Sequence, residues 1–341
     1  MTVRIALDAM GGDHAPSEII KGALLALQAD PALELVLVGE ETRLRAELTE
    51  FPARLTIVHA ADSIAMDEAA SAVRKKRNAS IVVAMDELKR GNCQAVVAAG
   101  STGAAMAAAL LRLGRIPGIE RPAIAAVLPT LKGPLVLLDV GANVDSRPLY
   151  LQQFALMGEA YASSVLGISP VRVGLVNIGE EPGKGDELAL QAHRLLEETP
   201  GLDFVGNVEG RDLARGRVDV AVCDGFVGNV MLKFAEGLGE LFTGLLRSEI
   251  ERGGWRAKLG AGLLRPTFQR FRRRLDYSEY GGALLLGVNG LCVISHGSSR
   301  APAIFNAIKV AKRAIETRTL DRIAERLSPF VRQETSVEGE K

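Results

Sequence analysis

One arrangement recurs along this chain and constrains its fold more than any other feature: a short apolar run, a glycine-containing loop, and a stretch with helical periodicity. The apolar runs lie at residues 3–7, 95–99, 135–138, 171–176, 218–223 and 291–294. Strands that alternate with helices predict a layered α/β/α fold with a mostly parallel sheet. The carboxyl ends of parallel strands share one edge of the sheet, and ligands bind there. We therefore predict that six polar loops meet at one ligand site, the alternative being glycines that only permit tight turns.

The length of the chain allows one large domain or two ordinary ones. Its 341 residues are 48% hydrophobic, which supplies a sizeable core. No repeat of fixed period and no linker rich in proline or serine divides the sequence. We therefore predict a single α/β domain over residues 1–330, followed by a polar, flexible tail over residues 331–341.

Charge, cysteine spacing and hydropathy exclude several classes of protein. The 41 basic and 41 acidic residues balance, so we expect no nucleic-acid partner. Cys93, Cys223 and Cys292 form no CxxC pair, which argues against a disulfide framework or a zinc site and fits a reducing compartment. The N-terminal apolar run meets Asp8 too early for a signal peptide, and glycines interrupt the apolar stretch at 91–111. The sequence predicts a cytoplasmic protein in which this stretch forms a strand, a loop and a helix.

Residues 252–276 depart from the repeating pattern because they are basic and amphipathic. Between Glu251 and Asp276 the sequence has eight basic residues and no acidic one. The apolar face at helical spacing consists of Leu264, Phe268, Phe271 and Leu275, and the opposite face consists of Arg265, Arg270, Arg272, Arg273 and Arg274. Just before them, an apolar stretch at 259–264, which includes Leu263, predicts a flexible tip. Such an element suits an anionic membrane surface or an acidic protein, and the alternative is a helical hairpin packed against a second copy of the chain.

Most motifs for covalent or cofactor chemistry are absent from the sequence. There is no GxGxxG, HExxH or GxSxG motif, and residues 179–185 are one residue short of a P-loop, with Gly185 where Ser or Thr would bind magnesium. The histidines are too scattered to predict a metal site: His14, His59, His193 and His296. We expect no cofactor and no metal, with magnesium as the open alternative because acidic side chains follow several strands. Backbone N–H groups, amides and cations remain, and these groups suit the binding of an anion.

Seven motifs resemble those of the PlsX-type phosphate acyltransferases of bacterial phospholipid synthesis. They are IALDAMGGDHAP at 5–16, SAVRKKR at 71–77, AGSTGA at 99–104, DVGAN at 139–143, NIGEEPGKG at 177–185, DGFVGNV at 224–230 and SHGSS at 295–299. Each motif alone is weak, but together they span nearly the whole chain in the order of the family. The resemblance therefore extends over the entire predicted domain.

This resemblance implies reversible transfer of a long-chain fatty acyl group from acyl-[acyl-carrier protein] to inorganic phosphate. It implies a Rossmann-like fold, similar to isocitrate and isopropylmalate dehydrogenases and to phosphotransacetylases, and a homodimer. Because the product of the family feeds a membrane-embedded glycerol-phosphate acyltransferase, it also implies a cytoplasmic protein that associates peripherally with the membrane. Two other functions stay open, an NAD(P)-dependent dehydrogenase of similar fold and a non-catalytic scaffold at the membrane.

Several residues of these motifs are candidates for the reaction. We expect Lys184, with the backbone amides of Gly183 and Gly185, to capture phosphate, although a solvated loop lysine is the alternative. The helix N-terminus that assists it carries Gly100, Ser101, Thr102 and Gly103, and we predict Ser101 or Thr102 as its N-cap. Asn229 can donate its amide to the oxyanion or cap a helix, and His296 can protonate the leaving sulfur or hold a loop. The remaining candidates in the substrate-site loops are Asp8, Gly11, Gly12, Asp13, Asp139, Asn143, Asn177 and Asp224.

An acyl donor on a carrier protein needs a docking surface and an apolar groove. Because the carrier is acidic, a basic patch is expected. The candidates are Arg74, Lys75, Lys76 and Arg77 and the arginines at 270–274, and the alternative is that these charges are simply solvated. Residues 259–264 with Phe268 and Phe271 can line the acyl groove or insert into lipid.

Overall fold

The computed structural model describes residues 2–275 and 281–337 of the chain. The strands are β1 (Val3–Asp8), β2 (Leu33–Gly39), β3 (Leu55–His59), β4 (Ala95–Ala98), β5 (Ala123–Pro129), β6 (Pro134–Leu138), β7 (Arg172–Val176), β8 (Asp203–Val208), β9 (Val220–Val222), β10 (Ala283–Leu286) and β11 (Leu291–Ile294). The helices are α1 (Ser17–Ala29), α2 (Glu41–Glu47), α3 (Ser80–Lys89), α4 (Thr102–Arg112), α5 (Pro148–Tyr161), α6 (Glu187–Glu197), α7 (Gly210–Arg215), α8 (Gly225–Arg252), α9 (Gly254–Leu263), α10 (Arg265–Leu275), α11 (Ala301–Glu316) and α12 (Thr319–Val337). A short 3₁₀ helix spans Ala70–Arg74, and a π-helical turn spans Ala162–Leu166.

The strands form one sheet in the order β3-β2-β1-β4-β11-β10-β5-β6-β9-β7-β8. Three neighbouring pairs are antiparallel, namely β11/β10, β10/β5 and β5/β6, and the other pairs are parallel. The mostly parallel α/β sheet is thus confirmed, and so is the strand, loop and helix at 91–111. The prediction that all carboxyl ends share one edge is wrong, because β6, β9, β7 and β8 run opposite to β3, β2, β1, β4 and β11. The reversal arises because a tight turn joins β5 to β6. A crossover connection through a helix would have kept these two strands parallel.

The two oppositely directed groups of strands are offset lengthwise. The last residue of β11, Ile294, pairs with Ala283, and the next residue of β10 pairs with Ala125 of β5. On the other side, Ala126 of β5 pairs with Leu137 near the end of β6. The carboxyl ends of β11 and β6 therefore reach the same level of β5 from opposite directions. Loops from both groups of strands meet at the middle of the sheet.

Helices cover both faces of the sheet, so its strands are buried on both sides. Ile5 and Leu7 of β1 belong to one apolar cluster, which also receives α1, α5, α11 and α12. Ala6 between them belongs to the second cluster, which receives α3 and α4. This two-sided burial explains why the strands read as continuous apolar runs in place of alternating ones.

Helices α8, α9 and α10 depart from this layered packing. Over its 28 residues, α8 buries only Gly225 and Gly228. The stretch at 259–264, predicted as a flexible tip, is mostly helical because it lies largely within α9. Asp276, the end of the predicted basic element, lies outside the described residues. Among the described residues, no helix combines the length and the apolar character needed to cross a bilayer.

The C-terminal helix bears on the predicted domain boundary. Helix α12 continues to Val337, so the segment predicted as a tail at 331–341 begins inside a helix. Residues 338–341 lie outside the described residues. The single domain over residues 1–330 stays a prediction.

Candidate active site

A cavity of about 280 Å³ lies where the oppositely directed strands meet. Its apolar floor comes from β5, β10 and β11 and from Val140, the second residue after β6. One wall is the end of β11 with the start of α4, and the other is α8. The lining residues are Thr102, Ile124, Ala126, Val127, Val140, Gly141, Asn229, Leu232, Lys233, Glu236, Gly282, Ala283, Ile294, Ser295 and His296.

The loops after β1, β4 and β11 support the first wall through close backbone contacts. A Cβ atom at Gly11 would lie 3.0 Å from the Cα atom of Gly100, so only glycine permits this approach. Gly12 has a φ of +104°, and the backbone N–H of Asp13 donates to the carbonyl of Gly297 at 2.9 Å. These predicted loop residues thus lie together behind the wall, and none of them lines the cavity.

Asp8, at the end of β1, holds the first of these loops through hydrogen bonds to its backbone. Its carboxylate is buried at the end of β1 and accepts the backbone N–H of Met10 at 3.3 Å. Burial raises the pKa of this carboxyl, and hydrogen bonds from Ser80 and from the backbone of Met10 and Gly11 lower it in part. Asp8 therefore holds the loop and does not reach the cavity.

The N-terminus of α4 presents the positive end of a helix dipole to the cavity. As predicted, Ser101 is the N-cap, and its hydroxyl accepts the backbone N–H of Ala104 at 3.4 Å. Thr102 in the first turn lines the cavity, while Gly100 and Gly103 face other loops. Unpaired N–H groups at such a terminus favour a bound anion.

Asp139 plays the corresponding supporting role on the second wall. This carboxylate is fully buried after β6 and accepts backbone N–H groups from Ile124 at 2.9 Å, Ala142 at 3.1 Å and Asn143 at 2.7 Å. Burial raises its pKa, and these hydrogen bonds offset the effect in part. The carbonyl of Asn143 then accepts the N–H of Gly225, the first residue of α8. Asp139 and Asn143 thus fix where α8 begins.

Helix α8 brings three polar side chains to the cavity. Its N-cap is Asp224, whose carboxylate accepts the N–H groups of Phe226 and Val227. The alternative that Asn229 caps this helix is therefore wrong, and Asn229 lines the cavity from the second turn. Lys233 and Glu236 follow on the same face and form an ion pair at 2.7 Å.

His296 faces Lys233 across the cavity. Its Nε2 atom lies 3.3 Å from the ammonium of Lys233, and its Nδ1 atom lies 2.8 Å from the hydroxyl of Ser298. Because an ammonium only donates, the contact with Lys233 uses the lone pair of Nε2. The structure thus brings the predicted Asn229 and His296 together. The sequence analysis missed Lys233 and Glu236, although their spacing of four and seven residues from Asn229 could have placed them on its face.

Lys184 lies elsewhere, on the loop after β7. It is exposed and does not line the cavity, and its side chain lies against Gly179. The side chain of Asn177 donates to the carbonyl of Lys184 at 2.9 Å, and Gly185 has a φ of +99° with no room for a Cβ atom beside Asn177. These contacts are all within the loop after β7 and stabilise its conformation. Phosphate capture by Lys184, with Gly183 and Gly185, stays a prediction.

The predicted basic patch lies beside the N-terminus of α4. A Cβ atom at Gly103 would lie 3.4 Å from Ala70, in the 3₁₀ helix that ends at Arg74. Arg74 and Lys75 are exposed, whereas Lys76 is occupied by an ion pair with Glu68 and a hydrogen bond to the carbonyl of Ser63. Arg77 is exposed as well. Three of the four cations therefore face solvent next to the cavity wall.

The amphipathic element exposes much of its apolar surface. Leu263 and Leu264 are 77% and 52% exposed, and Trp255, Leu259 and Phe271 are also exposed. Phe268 and Phe271 line a second, apolar groove of about 280 Å³ between α10 and the distal part of α8. Arg270 is exposed on α10, and the backbone of that helix continues through Arg272, Arg273 and Arg274.

The described part of the chain holds no cluster of three His, Cys, Asp or Glu side chains that could bind a metal ion. The three cysteines, also described, are all buried. Burial raises the pKa of Cys93 to about 11 and that of Cys292 to about 12, and it also raises the pKa of Cys223. None of these thiols is therefore available as a thiolate at neutral pH.

Solved structures with a similar fold include two enzymes of low sequence identity. A phosphotransacetylase from Streptococcus pyogenes aligns with a TM-score of 0.62 at 19% identity, covering 92% of this chain and 94% of that one. A 4-hydroxythreonine-4-phosphate dehydrogenase from Klebsiella pneumoniae aligns with a TM-score of 0.50 at 15% identity, covering 92% and 99%. At these identities the likeness shows the fold alone.

Sequence comparison is more specific. The profile of the family described as "Fatty acid synthesis protein" matches residues 3–322. A phosphate acyltransferase of Synechococcus sp. (strain JA-2-3B'a(2-13)) is 57% identical over 330 residues, which cover 96% of this chain and 88% of the relative. Identity at this level over nearly the whole length extends through both walls of the cavity. The chain therefore belongs to the fatty acid synthesis protein family and is an acyltransferase of the phosphate acyltransferase type.

Proposed function

We propose that this enzyme transfers a long-chain fatty acyl group reversibly from acyl-[acyl-carrier protein] to inorganic phosphate, and that the acyl phosphate serves phospholipid synthesis. The observation that carries the proposal is the composition of the cavity. A helix N-terminus and the Lys233 ammonium can hold phosphate, and Asn229 can donate to a carbonyl oxygen. The floor beside them is apolar, as an acyl thioester requires.

The reaction needs alignment and charge stabilisation more than a strong base, because phosphate is already an anion at neutral pH. One phosphate oxygen attacks the thioester carbonyl carbon, a C–O bond forms, and the carbonyl π electrons move to oxygen. The oxyanion then collapses, the C–S bond breaks, and sulfur leaves with the electron pair. A thiol with an ordinary pKa of about 8.5 is an adequate leaving group. We expect direct transfer without an acyl-cysteine intermediate, since Cys93, Cys223 and Cys292 are all buried.

Asn229 supplies a neutral donor for the oxyanion. It faces Gly141, where a Cβ atom would lie 3.5–3.7 Å from the Asn229 side chain, so the loop after β6 supports the amide. Preorganised donors of this kind contribute about 3 kcal/mol to an acyl-transfer transition state. His296 contacts Lys233 and thereby helps to position the cation beside the phosphate.

The acyl donor is proposed to dock on the basic patch beside α4. Arg74, Lys75 and Arg77 are exposed there, and an acidic carrier protein would be attracted to them. The patch adjoins the helix whose first turn lines the cavity, so a thioester arm from a docked carrier has a short path to the site. The cavity volume of about 280 Å³ lies just below the range of about 300–1,000 Å³ typical of small-molecule sites, so a long acyl chain must extend beyond the cavity.

A second copy of the chain is proposed to cover the exposed face of α8. Side chains that recur on one face of this helix are each more than half exposed: Phe226, Val230, Phe234, Leu241 and Leu245. A continuous apolar stripe of this length is uncommon on the surface of a monomer and marks an interaction surface. A homodimer would bury it and leave α9, with Trp255, at the periphery.

The periphery formed by α9 and the start of α10 is proposed to contact the membrane, so that the enzyme works in the cytoplasm at the membrane surface. We expect the double variant Leu263→Ser/Leu264→Ser to bind anionic phospholipid vesicles at least about tenfold more weakly, because it removes two exposed leucines. Turnover with a soluble donor should stay within about threefold of wild type. Vesicle flotation and solution assays measure the two effects.

The matched control for this variant is Leu131→Ser/Ile178→Ser, which alters leucine and isoleucine side chains that are 84% and 81% exposed on other loops. The control should retain vesicle binding. If the Leu263/Leu264 variant bound vesicles as wild type does, the membrane contact would lie on another surface. Peripheral delivery of acyl phosphate to a membrane glycerol-phosphate acyltransferase would then lose its structural support.

The proposed reaction itself is tested by trapping its product. Purified protein incubated with long-chain acyl-carrier protein and phosphate should release the carrier thiol and form an acyl phosphate that hydroxylamine converts to a hydroxamate. Omission of phosphate is the control. Absence of phosphate-dependent hydroxamate with every donor chain length would contradict the proposal. Membership among the acyltransferases sets aside the two other candidates, a dehydrogenase and a non-catalytic scaffold.

A further inference from the structure

Ser295 carries a buried hydroxyl that the protein itself leaves unused. The residue directly follows β11, lines the cavity, and is only 3% exposed. Its backbone N–H donates to the carbonyl of Ala98 at 2.7 Å, but its Oγ atom has no hydrogen-bond partner. Within residues 2–275 and 281–337, Ser146 Oγ is the one other buried side-chain polar atom without a partner, and Ser146 does not line the cavity.

The surroundings of Ser295 explain why no protein group reaches its hydroxyl. A Cβ atom at Gly282 would lie 2.9 Å from Ser295 Oγ, and the φ of +91° at Gly282 disfavours any other residue. The cavity residues Ile294 and Ala283 are apolar, and the adjacent His296 directs its Nδ1 atom to Ser298 and its Nε2 atom to Lys233. A buried hydroxyl without a partner destabilises the folded state. Its presence at the wall of the active site therefore points to a partner that arrives with the substrate.

We infer that the Ser295 hydroxyl donates a hydrogen bond to the thioester carbonyl oxygen and to the oxyanion that forms from it. This inference rests on the proposed function. Asn229 would be the second donor, from the opposite wall of the cavity. The carbonyl is a better match than phosphate because Ser295 is neutral and its cavity neighbours Ile294 and Ala283 are apolar. A phosphate dianion needs compensating positive charge, which the cavity offers at Lys233 and at the N-terminus of α4.

Ser295→Ala is expected to lower kcat without lowering the melting temperature. The kcat should fall about 100-fold, as expected for loss of an oxyanion donor, while the KM for phosphate stays within about threefold. The melting temperature should equal or exceed that of wild type, because the variant removes an unpaired buried hydroxyl. Steady-state kinetics with acyl-carrier protein and thermal unfolding measure these effects.

Ser146→Ala is the matched control, since it removes the same kind of hydroxyl outside the cavity and should leave kcat unchanged. Ser295→Cys keeps a weak donor in nearly the same volume and should have a kcat between those of wild type and Ser295→Ala. A kcat for Ser295→Ala within about threefold of wild type would overturn the inference. A raised KM for phosphate with kcat retained would also overturn it, because the hydroxyl would then be a phosphate ligand. Wild-type protein that forms acyl phosphate in the same assay separates either failure from failure of the proposed function.

Discussion

Lys233→Ala is expected to lower kcat/KM for phosphate about 100-fold, and if the cavity alone holds phosphate, Lys184→Ala leaves kcat/KM within about threefold of wild type. Lys233 lines the cavity with Asn229 and contacts His296 at 3.3 Å. Under the proposed function, removal of the Lys233 ammonium takes away a cation that would pair with phosphate, and a hydrogen bond to a charged group contributes about 1.5–3 kcal/mol. Initial rates at varied phosphate concentration measure the effect.

Lys184→Ala is the informative comparison because the motif at 177–185 predicts phosphate capture by Lys184, and the two variants distinguish that loop from the cavity. Both lysines are exposed enough that neither change should alter the melting temperature. A large loss for Lys184→Ala together with normal kinetics for Lys233→Ala would move the phosphate site to the loop after β7. It would also refute a phosphate-binding role for the face of α8 that carries Lys233.

Gly228→Ala is expected to produce the largest loss of stability, at least about 3 kcal/mol, together with loss of activity. A Cβ atom at this position would lie 1.9 Å from the carbonyl oxygen of Asp139, in backbone that four hydrogen bonds to the Asp139 carboxylate hold in place. The start of α8 would have to move away, and Asn229 and Lys233 would move with it. Urea unfolding and turnover measure the two effects.

Gly239→Ala in the same helix provides the comparison, because a Cβ atom there would meet nothing within 4 Å. This change should stabilise the protein by up to about 1 kcal/mol through the higher helix propensity of alanine. Equal stability of the two variants would show that α8 does not pack against the Asp139 loop as described.

The local structure of this chain was largely predictable from its sequence. Apolar runs followed by glycine predicted six of the eleven strands in the described residues, namely β1, β4, β6, β7, β9 and β11. The prediction of Ser101 or Thr102 as a cap was confirmed at Ser101. Such signals are local, because propensity and capping depend on residues within a few positions of one another. They identify where an element begins and ends, and they do not state which strands become neighbours.

The reversal of strand direction could not be read from the same signals. It depends on the turn between Pro129 and Pro134, where the hydroxyl of Thr130 and the carbonyl of Gly133 close a tight hairpin. The sequence analysis did not identify β5 as a strand, so the hairpin was overlooked. Without it, the loops after β6, β7 and β9 were assigned to the same edge as those after β1, β4 and β11.

The site was only partly predictable for a related reason. Asn229 and His296 belong to motifs. Lys233 lies in α8 outside any motif, and its sequence context is also that of a solvated lysine on a helix. Ser295 belongs to a motif as well, but a serine in a sequence carries no sign that its hydroxyl will be buried without a partner. That property exists only after Gly282 and Ala98 have been brought to it by the sheet.

The meeting of strands from opposite directions has a consequence for how catalytic ability is distributed along the chain. Neither group of strands supplies all the polar side chains of the cavity: the first and last segments contribute Thr102, Ser295 and His296, and the intervening segment contributes Asn229 and Lys233. Bending at β5 or β10 would therefore change the distance between these two groups of cavity residues. Because β5 and β10 also line the cavity, substitutions on the faces of these strands that point away from it are expected to change the rate through this distance alone.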